Sequence, residues 1–267
     1  SSSSAASDVY KRQGLNVLAE LSAETFSILA VGSFVAGLID AIVGGGGLVL
    51  IPLILIVAPA TPEASAMATN KLAAVFGTSS AAARMLRSSD IRQKIDRKLV
   101  AYGVPLAFVC AASGALLVAA LSTEVLRPLV IFLLLAVGTY VALKPSFGTP
   151  QRAPAQSRRR WLIALFAVGA IATYDGFFGP GTGTFLIIVF TALLSRSFVE
   201  SAALAKIINI ATNLGALTVF AIGGHVLWLL GLGLAVFNVA GAQVGARLVL
   251  SKGTGFVRIA LLVVVVV

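Results

Sequence analysis

The chain has 267 residues, of which 58% are hydrophobic and only 11% are charged. A soluble domain carries about 25% charged residues, so this chain has too few charges to cover a water-facing surface. The composition excludes an ordinary soluble enzyme and a disordered protein, and it indicates an all-α, polytopic integral membrane protein. Since a helix needs about 20 apolar residues to cross the bilayer core, the length accommodates roughly seven to nine segments.

The formal net charge is +10, from 20 Lys and Arg residues against 10 Asp and Glu residues. In a soluble protein this excess would indicate a nucleic-acid partner, but here the basic residues gather in short loops. Such loops are typical of the cytoplasmic side of a multi-pass protein in the cell membrane. We therefore expect the lipid bilayer, and no nucleic acid, as the partner of this basic chain.

Signatures of catalysis are missing from the sequence. It has one Cys and one His, which give little material for a metal site. It lacks a metalloprotease His-Glu-x-x-His, a Gly-x-Ser-x-Gly nucleophile elbow and a Walker A phosphate loop. We expect neither an enzyme nor a protein with a metal or cofactor.

The apolar segments define the predicted organisation. Residues 1–25 are interpreted as a tail that is partly non-native, because the opening SSSSAASDVYKRQ is unlike the remainder. The apolar segments are 26–58, 66–83, 99–121, 125–143, 161–195, 199–223, 226–250 and 256–267. We predict a first membrane repeat at 26–143, a cytoplasmic linker at 144–160, and a second repeat at 161–267 whose last helix is truncated.

The first and fifth segments are long and are interrupted by glycine and proline, which end helices. Each therefore predicts a hairpin of two short or half-helices at the start of its repeat. The second hairpin matches the first at an offset of 135 residues, which aligns Asp40 with Asp175, Gly44 with Gly179, Gly46 with Gly181, and Lys71 with Lys206. Two embedded Asp and two embedded Lys matching at one offset indicate an internal repeat.

Charge predicts how the two halves are oriented. The loop 91–98, the linker 144–160 and a last loop around Lys252 and Arg258 are basic, whereas Glu63 and Glu124 lie in other connections. These basic loops all lie on the cytoplasmic side only if each hairpin enters and leaves the membrane on the same side. In that arrangement the two halves have opposite orientations in the membrane. Inverted repeats of about four segments with glycine-interrupted helices are typical of secondary transporters. For the linker, an anionic-lipid contact is the alternative to a plain topology signal.

The glycine breaks are the first candidate substrate-binding elements. Irregular backbone at membrane depth occurs where it is buried in protein or lines a watery cavity. Helices beginning at Gly47 and Thr182 would direct free N–H groups towards an anion, and the hydroxyls of Thr182 and Thr184 would add donors. We expect Gly46 and Gly181 to need a positive φ; close helix packing is the alternative role of the breaks. The candidates are Gly44, Gly45, Gly46, Gly47, Gly179, Gly181, Thr182 and Gly183.

Two lysines inside apolar helices are the second candidate. An intramembrane cation is costly and usually faces a cavity, a partner or a substrate. Asn209 and Asn213 follow Lys206 at spacings that share one helix face, and Asn70 precedes Lys71. An ammonium beside carboxamide donors suits an oxyanion, so we assign these five residues to substrate binding. Snorkelling of the lysines to the membrane interface is the alternative.

Several further residues have functional or structural interpretations. Asp40 and Asp175 precede the breaks by four residues and could pair with the lysines, carry protons, or lock the helix structurally. His225 is interpreted as an interfacial loop histidine, and Gly241 and Gly245 as a helix-packing stripe.

Two pairs of motifs resemble the TauE/SafE family. In the first half these are GLIDAIVGGGGLVLIP at 37–52 and ATNKL at 68–72; in the second half they are YDGFFGPGTGTF at 174–185 and AKIINIATN at 205–213. The resemblance runs over nearly the whole chain from about residue 26. It implies a secondary transporter of prokaryotic inner membranes that exports a small sulfur oxyanion, sulfite or a short organosulfonate. An anion channel of the same fold and a non-transporting scaffold subunit are the alternatives, and a homo-oligomer stays open.

Overall fold

A computed structural model describes residues 22–119, 121, 124–126, 128–133, 135, 157–194 and 196–266, with side chains as far as 252. This part of the chain is helical and has no β-strand. The helices are α1 (Ala23–Val43), α2 (Gly47–Val57), α3 (Glu63–Leu86), α4 (Ser89–Lys94), α5 (Arg97–Ala119), α6 (Arg158–Phe177), α7 (Thr182–Leu194), α8 (Phe198–Ile222) and α9 (Trp228–Val266). The described residues between 124 and 135 are also helical, whereas the predicted linker 144–156 and the tail 1–21 lie outside the described residues.

Five helices of the described part are long and apolar enough to cross a membrane: α1, α5, α6, α8 and the first 25 residues of α9. Helix α3 has 24 residues, but Ala, Ser, Thr and Gly make it less apolar than its repeat counterpart α8. The prediction of an all-α, multi-pass membrane protein is confirmed.

Polar side chains cap the first turns of helices α1, α6 and α8. Ser22 accepts a hydrogen bond from the Thr25 amide at the start of α1, and Ser157 accepts one from the Arg160 amide at the start of α6. Ser197 and Glu200 form a reciprocal capping box at the start of α8. These caps satisfy N–H groups that have no partner within the helix.

The glycine-interrupted segments are hairpins, as predicted, but their arms are unequal. The first arms, α1 and α6, have 21 and 20 residues and are long enough to cross a membrane. The second arms, α2 and α7, have only 11 and 13 residues. The expectation of two short helices was therefore wrong for the first arm of each hairpin.

Two predicted loops contain helix. The loop 91–98 includes most of the short helix α4. The last loop, predicted around Lys252, does not exist, because α9 continues from Trp228 to Val266. The sequence of α9 around Lys252 has glycine but no proline, and a glycine lowers the stability of a helix by only about 1 kcal/mol relative to alanine. That is less than the cost of unpaired backbone groups at membrane depth.

The two halves exchange their third long helix. Helix α5 of the first half packs on α6 and α8 of the second, while α9 of the second half packs on α1 and α3 of the first. Small residues permit the contact between α9 and α1, since a side chain at Gly241 or Gly245 would overlap the backbone of Phe34 or Leu38. The packing role predicted for Gly241 and Gly245 is confirmed.

One end of the helix bundle collects basic side chains, and we call it the basic end, defined by Lys94, Lys98, Arg158 and Arg196. Arg196 lies 3.7 Å from Asp96 and donates to the Lys94 carbonyl, which joins the start of α8 to α4 and α5. A cleft of about 660 Å³ at this end is lined by the start of α5, the start of α6 and the last residues of α7. The second hairpin therefore begins and ends at the basic end.

The first hairpin begins away from that end. Helix α8 leaves the basic end and is 25 residues long, so α9 begins at the opposite end of the bundle. Phe26 in the first turn of α1 packs edge-on against Phe237 of α9, with ring centroids 6.3 Å apart. Helices α1 and α6 thus start at opposite ends of the bundle.

Candidate functional site

The two glycine breaks contact each other at the boundary between the halves. Gly44 ends α1 in the left-handed conformation, with φ of 85°, and its amide donates to the Asp40 carbonyl over 2.9 Å. Gly183 in the first turn of α7 lies against it, and a side chain on either glycine would overlap the other. Thr184 donates its hydroxyl proton to the Val43 carbonyl over 2.7 Å. The break of each half therefore helps to hold the break of the other.

The two breaks have different backbone conformations. Gly179 and Gly181 have φ of 99° and 86°, in the region that favours glycine. Gly46 has φ of −55°, so the expected positive φ at this position was wrong. It is already in helical conformation, directly before α2. The lack of room for a side chain explains the glycine instead, because a Cβ there would lie 2.6 Å from the Ala36 oxygen and 2.9 Å from the Asp40 Cβ.

An aromatic group supports the second break. Tyr174 donates its hydroxyl proton to the Pro180 carbonyl over 2.6 Å. Its ring packs edge-on against Phe178 and Phe185, at centroid distances of 5.9 and 5.7 Å. Sequence reasoning did not assign Tyr174 a role, although the aromatic residues that flank this break were a signal for one.

Lys71 and Asp175 form a buried ion pair. The Lys71 Nζ lies 2.7 Å from Asp175 Oδ2, and the two side chains are 1% and 2% exposed. The other carboxylate oxygen, Oδ1, accepts a hydrogen bond of 2.7 Å from the Thr182 hydroxyl. Gly179 lies directly against this pair, since a Cβ there would be 2.7 Å from the Lys71 Nζ. Lys71 therefore lies at the second break, inside the protein and not at its surface.

Lys206 and Asp40 form the equivalent pair on the first break. The Lys206 Nζ lies 3.3 Å from Asp40 Oδ2 and also donates to the Asp40 backbone carbonyl. The Thr78 hydroxyl donates to the same Oδ2 atom over 3.0 Å. Lys206 is 1% exposed, but Asp40 is 14% exposed. Thr78, on α3, is a further site residue that the sequence reasoning missed.

Both ion pairs cross from one half of the chain to the other. Lys71 belongs to the first half and its partner to the second, while Lys206 belongs to the second half and its partner to the first. A buried charge without a partner is destabilising by several kcal/mol, so each lysine depends on the opposite half for compensation. Charge and glycine packing together make the boundary between the halves the candidate site.

The predicted hydroxyl and amide donors are mostly used within the protein. Thr182 donates to Asp175 or to the Gly179 carbonyl, and Thr184 to Val43, so neither hydroxyl proton is free for an anion. The Asn213 amide donates to the backbone and side-chain oxygens of Asn209, over 2.7 and 3.2 Å.

The other predicted residues lie close to the pairs. Gly47 begins α2 and Thr182 begins α7, as the sequence predicted. Asn70 is 7% exposed, and its Nδ2 faces Gly47, 3.4 Å from where a Cβ would be. Gly45 is buried, and a Cβ there would lie at ordinary contact distance, 3.5 Å, from the Leu48 side chain. Among the residues that the structure describes, no group of three or more His, Cys, Asp or Glu side chains could hold a metal ion.

Comparison with known sequences identifies the family of this chain. The sequence model of the family described as "Sulfite exporter TauE/SafE" matches residues 29–267. The chain belongs to the TauE/SafE family. No solved structure matches the chain.

Curated relatives of TauE/SafE type cover nearly the whole chain. "Probable membrane transporter protein YfcA" of Escherichia coli (strain K12) is 38% identical over 244 residues, which is 91% of this chain and 87% of that protein. "Probable membrane transporter protein ORF9" of Sinorhizobium sp is 35% identical over 249 residues, 92% and 91% of the two chains. A "Probable membrane transporter protein" of Haemophilus influenzae is 34% identical over 239 residues, 90% and 91%. The protein is thus a membrane transporter of this family, located in the cell membrane.

Proposed function

We propose that the protein is a secondary transporter that exports a small sulfur-containing oxyanion, sulfite or a short organosulfonate, across the inner membrane. One observation carries the proposal. Two repeat-related lysines, each 1% exposed, lie beside glycine breaks at the boundary between the halves. Intramembrane cations are costly and mark substrate or ion pathways. The family description supplies the anion class, sulfite.

The arrangement of the halves supports alternating access. Helices α1 and α6 start at opposite ends of the bundle, and the basic end gathers the loops that the charge pattern places in the cytoplasm. We infer that the halves are inverted and that they rock against each other around the two breaks. The ion pairs cross the boundary that this motion would have to open.

Energetics favour export. With a negative potential inside, moving one negative charge outwards gains about 2.3 kcal/mol per 100 mV. This electrical gain applies to each net negative charge that moves outwards, so it drives an anion that crosses without a coupled proton.

A flux assay in proteoliposomes tests this function. Purified protein is reconstituted, and efflux of sulfite, sulfate, thiosulfate and methanesulfonate is followed under an imposed potential. We expect saturable efflux of sulfite or the sulfonate, strongly reduced in Lys206→Met. Lys94→Met, which removes a lysine that is 48% exposed, is the matched control and should transport normally. Ohmic current without saturation would indicate a channel, and no flux of any of the four anions would contradict the proposal.

A further inference from the structure

We propose that the transported anion displaces the Asp40 carboxylate from Lys206, with Asp40 taking up a proton, while the Lys71–Asp175 pair stays closed. This inference rests on the proposed function, because it names the coupling step of the same site. The two pairs are equivalent in the repeat, yet their surroundings differ, and the difference assigns them separate roles.

Access distinguishes the two carboxylates. Asp175 is 2% exposed and its Oδ2 lies 2.7 Å from the Lys71 Nζ. Asp40 is 14% exposed and its Oδ2 lies 3.3 Å from the Lys206 Nζ. The longer pair is therefore the one whose carboxylate has surface open to the outside of the protein.

The contacts of the single oxygens distinguish them as well. Each oxygen of Asp175 has a polar contact, since the Thr182 hydroxyl donates to Oδ1 and the Lys71 Nζ lies 2.7 Å from Oδ2 in an ion pair. The contacts of Asp40 with Lys206 and Thr78 both fall on Oδ2, and within the described part of the chain its Oδ1 has no hydrogen bond. That oxygen is where a proton can be placed without breaking an existing contact.

Lys206 stays in position when the carboxylate leaves. Its Nζ also donates to the Asp40 backbone carbonyl, which belongs to α1 and does not move with the side chain. An ammonium has three donors, so the anion can occupy the direction that Asp40 Oδ2 vacates. The carboxylate thus marks the position of one oxygen of the bound substrate.

Charge balance requires the proton. The closed Lys206–Asp40 pair is neutral, and adding an anion would leave one uncompensated negative charge in a largely buried site. Protonation of Asp40 restores neutrality, because the lysine then compensates the substrate instead of the carboxylate. The proton comes from water on the side where the anion binds and returns to water on the side where it leaves, so a singly charged anion crosses with one proton and no net charge.

No other charged side chain is in contact with Asp40 among the described residues. Lys206 of α8, Thr78 of α3 and Gly46 contact Asp40 itself. Helices α7 and α9 contact α1 elsewhere, through the uncharged residues Gly183, Gly241 and Gly245. Lys206 is therefore the charged group against Asp40 in that part of the chain.

Binding measured as a function of pH tests the exchange. The probe is methanesulfonate, whose charge is constant from weakly acidic to neutral pH, and binding to the purified full chain is followed by calorimetry. In the parent protein, affinity should fall about tenfold per unit rise in pH where Asp40 is ionised, with about one proton taken up per anion. In Asp40→Asn the affinity should be higher at neutral pH and independent of pH, without proton uptake.

Asp175→Asn is the matched comparison, and it should keep the pH dependence and the proton uptake; if the unpaired Lys71 prevents folding, Asp175→Asn combined with Lys71→Met replaces it. If Asp40→Asn does not fold, Asp40→Glu replaces it and should keep both properties. Binding that is independent of pH in the parent, or that loses its pH dependence in Asp175→Asn instead, overturns the exchange while leaving the proposed function intact. Absence of saturable binding of both methanesulfonate and sulfite to the parent overturns the exchange together with the proposed function.

Discussion

Replacement of Lys71 by methionine keeps the side-chain length but removes the charge that compensates Asp175. Because Asp175 is 2% exposed, the remaining carboxylate has no access to solvent. Removing one partner of a buried ion pair costs about 3–5 kcal/mol. A domain of this size loses about 2–4 °C of Tm per kcal/mol, so we expect a decrease of roughly 6–20 °C.

A double variant separates the charge from the packing. In Lys71→Met combined with Asp175→Asn no uncompensated charge remains, so much of the lost stability should return. Thermal unfolding of the detergent-purified protein, followed by size-exclusion chromatography, measures Lys71→Met, Asp175→Asn and the double variant. Lys94→Met is the control, because its pair with Asp90 is 48% and 73% exposed and should not change the Tm measurably. Single losses that simply add in the double variant would refute the compensation argument.

Three further predictions concern other regions. Gly183→Ala should abolish transport and lower the Tm, because its Cβ would overlap Gly44. Gly45→Ala should be tolerated, because its Cβ would lie 3.5 Å from Leu48. Anion flux and the Tm of both variants test this difference. Cysteines placed at Lys252 and Glu124 in a Cys110→Ala background should be labelled from the cytoplasm and from outside, respectively. Labelling of both from one side would exclude inverted halves. Burial lowers the pKa of His225, so the unfolded state binds its proton more readily and stability should fall as pH drops below about 6.5; a His225→Gln variant without this loss checks it.

The sequence predicted which charged residues lie at the breaks but not how they pair. The offset of 135 residues aligns Lys71 with Lys206 and Asp40 with Asp175, and it predicts that they are equivalent. Equivalence does not say which residues touch, because that depends on how the halves pack. The crossed pairing arises from the packing of one half against the other, which no local pattern in the sequence encodes.

Two other expectations failed for physical reasons that a sequence does not display. The hydroxyls of Thr182 and Thr184 were predicted as donors to a substrate, but a buried hydroxyl takes the nearest carbonyl or carboxylate oxygen. A last loop was predicted around Lys252, but α9 continues through it, because glycine without proline only weakly disfavours a helix in a long apolar segment. Breaks that combine glycine with a left-handed residue, as at Gly44 and Gly179, were predicted correctly.

The central claim is that a buried lysine between the halves holds the exported anion by its charge. Sulfite efflux from proteoliposomes, measured over a range of internal sulfite concentrations, compares the parent with Lys206→Met and Lys206→Arg. A hydrogen bond to a charged group contributes about 1.5–3 kcal/mol, so Lys206→Met should weaken apparent affinity roughly ten- to a hundredfold, and Lys206→Arg much less. Sulfite efflux by Lys206→Met with the affinity of the parent would contradict the claim.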